Sequence, residues 1–310
     1  MNSAPPAASG LASRLVNGIL AIAPVADLLK HQARAMMVKR AESIGVQWTQ
    51  EAETLRARGD ATWQAALAQI QNPDLTYPDY YLQPFHAYKT GNLSWQAATE
   101  VEVAAYAAHA RIWSDAGSKA GDARLRESFH VLLKQQIPTD PQTILDLGCS
   151  VGMSTFALQD TYPNARATGL DLSPYFLAIA QYRAQQTQRA VEWVHSAAEA
   201  TPFADSSFDL VSTCLMCHEL PQEATQAIFK EARRLLKPGG HLAIMDMNPN
   251  SEVFAKLPPY VFTLLKSTEP YLDEYFTLDM EQSMANAGFS KPFAAQNSPR
   301  HRTFIAIARP

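Results

Sequence analysis

Three features of the sequence could do chemistry. His218, in STCLMCHELP, stands just past a short apolar run. Imidazole titrates near neutrality, which suits it to take a proton from a phenol, thiol or enol; its plainer roles would be to hydrogen-bond Glu219 or cap the helix that follows. Asp146 and Asp171 stand at the ends of the apolar runs in TILDLG and RATGLDL. An acid closing a second strand can accept both hydroxyls of a ribose. Gly148 and Gly152, in ILDLGCSVG, fall between a predicted strand and a predicted helix. Glycine there removes Cβ atoms from the path of a ligand, and amides at the helix N-terminus can face it. A dinucleotide fingerprint also needs glycine at its third and sixth positions, which Ser150 and Met153 occupy, so the pyrophosphate reading is weak.

These residues need a scaffold. From residue 143 onward short apolar runs alternate with helical segments: TILDLG, RATGLDL, VEWVHS, FDLVSTCL and HLAIMDM read as strands, with helices in MSTFALQDTYP, SPYFLAIAQYRAQQ and PQEATQAIFKEARRLLKPGG. Strands spaced by helices predict an α/β fold, a doubly wound, mostly parallel sheet with ligands at the carboxyl ends of its strands. The chain before that reads as helix. One helix carries Leu28, Leu29, Ala33, Met36, Met37 and Ile44 near one face and ends at Gly45. A second is expected from Thr49, as N-cap, to Pro73. Residues 77 to 95 have no period and hold Tyr80, Tyr81, Phe85, His86, Tyr88 and Trp95, which predicts a long ordered loop. Helices resume over SWQAATEVEVAAYAAHARIW and GDARLRESFHVLLKQQIP, and the turn-rich first dozen residues are expected to be disordered.

Composition excludes several classes. A net charge of −4 gives no footprint for nucleic acid. Three cysteines in 310 residues cannot build a disulfide framework, which predicts a cytoplasmic protein. The apolar stretch from Leu15 to Leu29 is interrupted by Asn17, Pro24 and Asp27 and is too short to span a bilayer. Between residues 11 and 48, five basic residues (Arg14, Lys30, Arg34, Lys39, Arg40) face two acidic ones (Asp27, Glu42). Such a helix can touch an anionic membrane surface, or pack on its own protein with the charges solvated. Cys214, Cys217 and His218 match a haem-attachment pattern, but at a predicted buried strand end, and no second cysteine pair offers a zinc site. No metal is expected.

Two further segments, AAEATPFADSSFDLV (197 to 211) and RRLLKPGGHLAIMD (233 to 246), follow the glycine loop in order. Together the three resemble class I S-adenosylmethionine-dependent methyltransferases, in particular the branch similar to the ubiquinone and menaquinone C-methyltransferases, over roughly residues 140 to 310. The resemblance implies a Rossmann-like seven-stranded sheet over 141–310, an N-terminal helical and lid domain over 1–140, and S-adenosyl-L-methionine as cofactor. It implies that Asp146 stands under the methionine amino group and that Gly148, Ser150 and Gly152 line the methionine and ribose. Asp171 would hold the ribose hydroxyls, Leu172 would pack on adenine, and Ala198 and Glu199 would meet the adenine edge. The sequence departs from the family at Ala197, commonly aspartate, and at Ser150, commonly glycine. His218 would face the methyl group as base. Tyr81, His86 and Tyr88 of the aromatic loop, with Tyr260, Phe262, Tyr271 and Tyr275 of the insertion at 250 to 278, would enclose a small aromatic or lipophilic acceptor. Competing readings are a non-catalytic adenosyl-ligand-binding or interaction protein and an NAD-linked oxidoreductase.

Overall fold

The computed structural model describes residues 23–86, 88–113 and 120–309. The turn-rich first dozen residues and Arg14 lie outside the described residues, as do the side chains of Leu28, Leu29, Lys30, Ala33 and Tyr260. Among the described residues, no helix is long and apolar enough to cross a membrane.

Helices α1 (Ala23–Ser43), α2 (Trp48–Arg56), α3 (Asp60–Ile70), α4 (Trp95–His109) and α5 (Ala120–Gln136) precede the sheet. The single helix expected from Thr49 to Pro73 is broken between α2 and α3. Gly59 sits at φ 88°, a left-handed corner that other residues resist. Across that corner the Trp63 indole N–H donates to the Leu55 carbonyl at 2.8 Å, folding α3 back on α2. Thr49 is not the cap either: α2 begins at Trp48, and the Thr49 amide donates to Glu42 Oε1 at 3.0 Å. The Ser94 hydroxyl caps α4 by accepting from the Ala97 amide. Arg34, read as part of a basic face, turns inward with Arg56 onto the fully buried Glu100, while Lys39 and Arg40 are exposed.

The second half runs β1 (Thr143–Leu147), α6 (Met153–Thr161), β2 (Arg166–Asp171), α7 (Pro174–Gln186), β3 (Val191–His195), β4 (Phe208–Cys214), α8 (Gln222–Leu235) and β5 (Leu236–Met247). Short helices α9 (Glu252–Ala255), α10 (Pro259–Thr268), α11 (Leu272–Thr277) and α12 (Met280–Asn286) lead to β6 (Phe293–Gln296) and β7 (His301–Ile307). The seven strands lie in the order β3-β2-β1-β4-β5-β7-β6. Pairings from β3 to β5 are parallel, and β7 is antiparallel to both β5 and β6.

Strand periodicity builds the two faces. Leu145, Leu147, Val211, Leu242 and Ile244 join Ile228 and Phe229 of α8 in one buried cluster. Ile144, Leu210, Ala243 and Met245 join Leu125, Phe129 and Leu133 of α5 in the other. So α5, although it precedes the sheet, covers it. The chain turns outward from β1 in both directions, to β2 and β3 on one side and to β4 and β5 on the other. The carboxyl ends of β1 and β4 therefore flank a crevice at the switch of strand order.

Candidate active site

A cavity of about 520 Å³ opens over that crevice. Its sheet end is formed by the glycine loop. Gly148 takes φ 67°, and a Cβ there would meet Met216 Sδ at 2.3 Å, so the loop is kept thin beneath the Met216 side chain. Gly152, at φ 87°, faces Trp193 and Phe156 instead; a Cβ there would lie 2.8 Å from the indole. Four amides of the loop are engaged within the protein. Gly148 and Cys149 donate to the Leu170 carbonyl, Gly152 donates to the Cys149 carbonyl, and Ser150 donates to Asp171 Oδ2 at 2.7 Å. The loop offers close approach, not a phosphate cradle. Ser150 holds φ 51°, so the backbone keeps the left-handed shape that glycine adopts freely.

Asp171 ends β2 with both oxygens engaged: Ser150 donates to Oδ2, and the Ser173 amide donates to Oδ1 at 2.7 Å. Burial lifts its pKa to about 6 against these amides and the Tyr81 hydroxyl. Ser173 also donates its hydroxyl to the Asn92 carbonyl at 2.7 Å and accepts from the Phe176 amide as the cap of α7. Asp146 lies beneath the loop, fully buried. Its Oδ2 accepts from Thr155 at 2.6 Å and its Oδ1 has no partner. Burial lifts it also to about 6, opposed by the Thr155 hydrogen bond. Leu172 and Ala198 line the cavity. Glu199 stands beside it, with Oε1 accepting from the Tyr80 hydroxyl and Oε2 unpartnered.

The opposite wall begins at the 3-10 turn Cys217–Glu219 after β4. His218 is buried and lines the cavity. Its Nδ1 lies 2.7 Å from Asp246 Oδ1 and its amide donates to Asp246 Oδ2, so the partner is the acid at the end of β5 rather than Glu219. Burial works against the charged ring, but the Asp246 carboxylate and the hydrogen bond to it prevail and raise its pKa to about 10. Nearby, His86 Nε2 lies 3.2 Å from Glu269 Oε1 and 3.5 Å from Glu219 Oε1. Burial opposes charge on His86, the two carboxylates favour it, and the net is a rise to about 9. Burial pushes the Glu219 carboxyl up.

Of the expected acceptor residues, Tyr81, His86 and Tyr88 line the cavity. Tyr88 spends its hydroxyl on Glu100, at 3.0 Å. Tyr271 and Tyr275 do not line the wall. Tyr275 is buried behind His218, ring centroids 6.3 Å apart, with its hydroxyl donating to the Met247 carbonyl; Tyr271 packs edge-on against Tyr80. Phe262 packs on Phe276. The insertion instead presents Phe254, Leu265, Thr268 and Glu269. Asp246 was missed by sequence reasoning, although an acid ending the strand beside the histidine-bearing one was a usable signal. Glu269 had no such signal. Cys149, Cys214 and Cys217 are free and buried, which leaves the haem-attachment pattern without accessible thiols.

Residues 144–240 match the family model described as a methyltransferase domain. An uncharacterized methyltransferase of Synechocystis is 33% identical over 165 residues, 53% of this chain and 74% of that protein. The demethylmenaquinone methyltransferase of Lactococcus lactis is 29% identical over 143 residues, where the chain spans only 55% of the relative's length. Among solved structures, the PH0226 protein of Pyrococcus horikoshii superposes with a TM-score of 0.50 at 20% identity, over 66% of this chain and 96% of that one, a likeness of fold. With a methyltransferase-domain match and a methyltransferase relative 33% identical and covered over 74% of its length, the chain belongs to the class I S-adenosylmethionine-dependent methyltransferases.

Proposed function

We propose that the protein methylates a small, largely apolar acceptor that has a proton to lose, such as a phenol or enol, and that His218 receives the proton. The observation that carries this reading is a single cavity with Ser150, Asp171 and Leu172 at one end and His218 at the other. Buried oxygens without partners at the loop end, Asp146 Oδ1, Ser150 Oγ and Glu199 Oε2, suit the amino and hydroxyl donors of the cofactor. When bound, S-adenosylmethionine supplies an electrophilic methyl group. Asp171 would accept from the ribose, Leu172 and Ala198 would flank adenine, and Asp146 would serve the amino group through Oδ1. Asp246 holds the His218 ring with Nδ1 toward itself, which leaves Nε2 for the acceptor.

In this reading the 1–140 region supplies the lid of the 141–310 domain through its aromatic loop, while α5 packs on the sheet. Tyr80 reaches Glu199 and Tyr81 reaches Asp171, so the aromatic loop would cover the cofactor and exclude water. Buried free cysteines agree with a reducing, cytosolic setting.

Calorimetry with S-adenosylmethionine, S-adenosylhomocysteine and NAD tests the cofactor end. Labelled methyl transfer into a cell extract, with product identification, tests the acceptor end. His218→Gln should lower kcat by about 10² to 10⁴ with cofactor affinity retained. A full-rate variant would remove His218 as base.

A further inference from the structure

Away from the glycine loop the cavity wall carries a second polar group, built from three segments distant in sequence: His86 of the aromatic loop, Glu219 of the 3-10 turn and Glu269 just past α10. Their ligand-capable atoms all lie within 4.8 Å of one another. Glu269 is only 6% exposed; its Oε1 faces His86, and its Oε2 has no hydrogen-bond partner. The backbone fixes His86 in place, its amide donating to the Thr268 carbonyl at 2.9 Å.

With the ring neutral and both acids ionised, the group would carry two negative charges in a largely apolar cavity. A divalent cation on a neutral ring would cancel them. Atoms bound to one tetrahedral ion at about 2.0 to 2.2 Å sit roughly 3.3 to 3.6 Å apart. The separations of His86 Nε2 from the two carboxylate oxygens, 3.2 and 3.5 Å, are close to that range.

We propose that His86 Nε2, Glu219 and Glu269 bind a divalent first-row cation such as Zn²⁺ or Mn²⁺, with its remaining positions open to the cavity. One imidazole and two carboxylates suit such an ion, where a softer one would call for thiolates. The cation would meet an acceptor oxygen beside His218 and favour acceptors that coordinate through a hydroxyl or enol. The site shares the cavity with the proposed acceptor but rests on ligand geometry alone, not on the methyl-transfer reading.

The test uses the tag-free full chain, stripped with a chelator and titrated with Mn²⁺ followed by electron paramagnetic resonance, or with Co²⁺ followed by visible absorption. One equivalent should bind. Glu269→Gln and His86→Gln should each weaken binding by at least about tenfold with an unchanged circular dichroism spectrum. Glu219→Gln replaces either one that fails to fold. Asp205→Asn, in the surface pair with Arg234, is the control and should bind like the parent. Absence of saturable binding, or binding equal in parent and ligand variants, overturns the site. S-adenosylhomocysteine binding and methyl transfer without metal binding would sink the site and leave the proposed function standing; metal binding without methyl transfer would do the reverse.

Discussion

His218 and Asp246 leave the tips of adjacent parallel strands and meet at 2.7 Å, Nδ1 to Oδ1, with both groups out of solvent. The contact fixes the tautomer of the ring and raises its affinity for a proton. Asp246→Asn should therefore lower the limiting kcat, reached at alkaline pH where the ring is neutral in both forms, by about 10² or more while S-adenosylhomocysteine still binds. Because the ring pKa is lifted to about 10, the free base grows with pH, and the rate of the parent enzyme should climb through the neutral and alkaline range. In Asp246→Asn that climb should end at lower pH, read from paired pH–rate profiles. The same rise fixes a sign for stability. The pair's contribution is complete below the ordinary imidazole pKa of about 6.5 and is lost as pH rises through about 10.

Asp171→Ala should weaken S-adenosylhomocysteine by about 2 to 3 kcal/mol, from loss of charge-assisted bonds to the ribose. Unchanged affinity in a folded variant would take Asp171 out of the site.

Asp146 and Asp171 are both lifted to about 6 by burial, so the penalty each places on the folded state grows as pH rises from about 4 to about 6, is complete above that, and is relieved as pH falls back toward about 4. A ligand that donates to these carboxylates prefers them ionised. Binding near pH 6 should release protons, and affinity should fall below it. Calorimetry in buffers of different ionisation enthalpy measures the release; no buffer dependence would contradict the contact.

Tyr80→Phe with Tyr81→Phe removes two hydroxyls that reach Glu199 and Asp171 and keeps the rings. The double variant should fold normally and bind S-adenosylhomocysteine more weakly, by on the order of 1 to 2 kcal/mol. Parent affinity would reduce the loop to a connector.

Glu100 is fully buried and takes hydrogen bonds from Arg34, Arg56 and Tyr88. Glu100→Gln should cost roughly 2 to 3 kcal/mol, below the figure for a wholly buried pair because Arg56 is nearly half exposed. Urea denaturation checks it.

Five strands, β1 to β5, were legible as short runs spaced by helices, and the acids Asp146 and Asp171 mark strand ends where such sheets bind ligands; β6 and β7, which pair antiparallel with no helix between them, came only from the seven-stranded resemblance. The break at Gly59 was not legible, since helical period continues across it; the corner shows in the positive φ of Gly59 and the Trp63 to Leu55 hydrogen bond. Tyr271 and Tyr275 had the right residue type for an acceptor wall. An aromatic side chain does not declare which side of a short helix it takes, and Tyr275 is drawn inward by the Met247 carbonyl. The strand-to-helix loop suggested amides that can face a ligand; here Gly148 and Cys149 donate to β2, Gly152 to Cys149, and Ser150 to Asp171.

Ser173 is one of several links between the carboxyl end of the sheet and the segment before it. Its amide steadies the Asp171 carboxylate while its hydroxyl grips the Asn92 carbonyl, in the segment that leads from the aromatic loop into α4. Under the proposed reading, a change at the Asp171 end would reach the segment that carries the aromatic loop. That linkage favours a compulsory order of addition, cofactor before acceptor, with the spent thioether departing last. Product-inhibition patterns would then be competitive between S-adenosylhomocysteine and S-adenosylmethionine, and Ser173→Ala should loosen the order toward random.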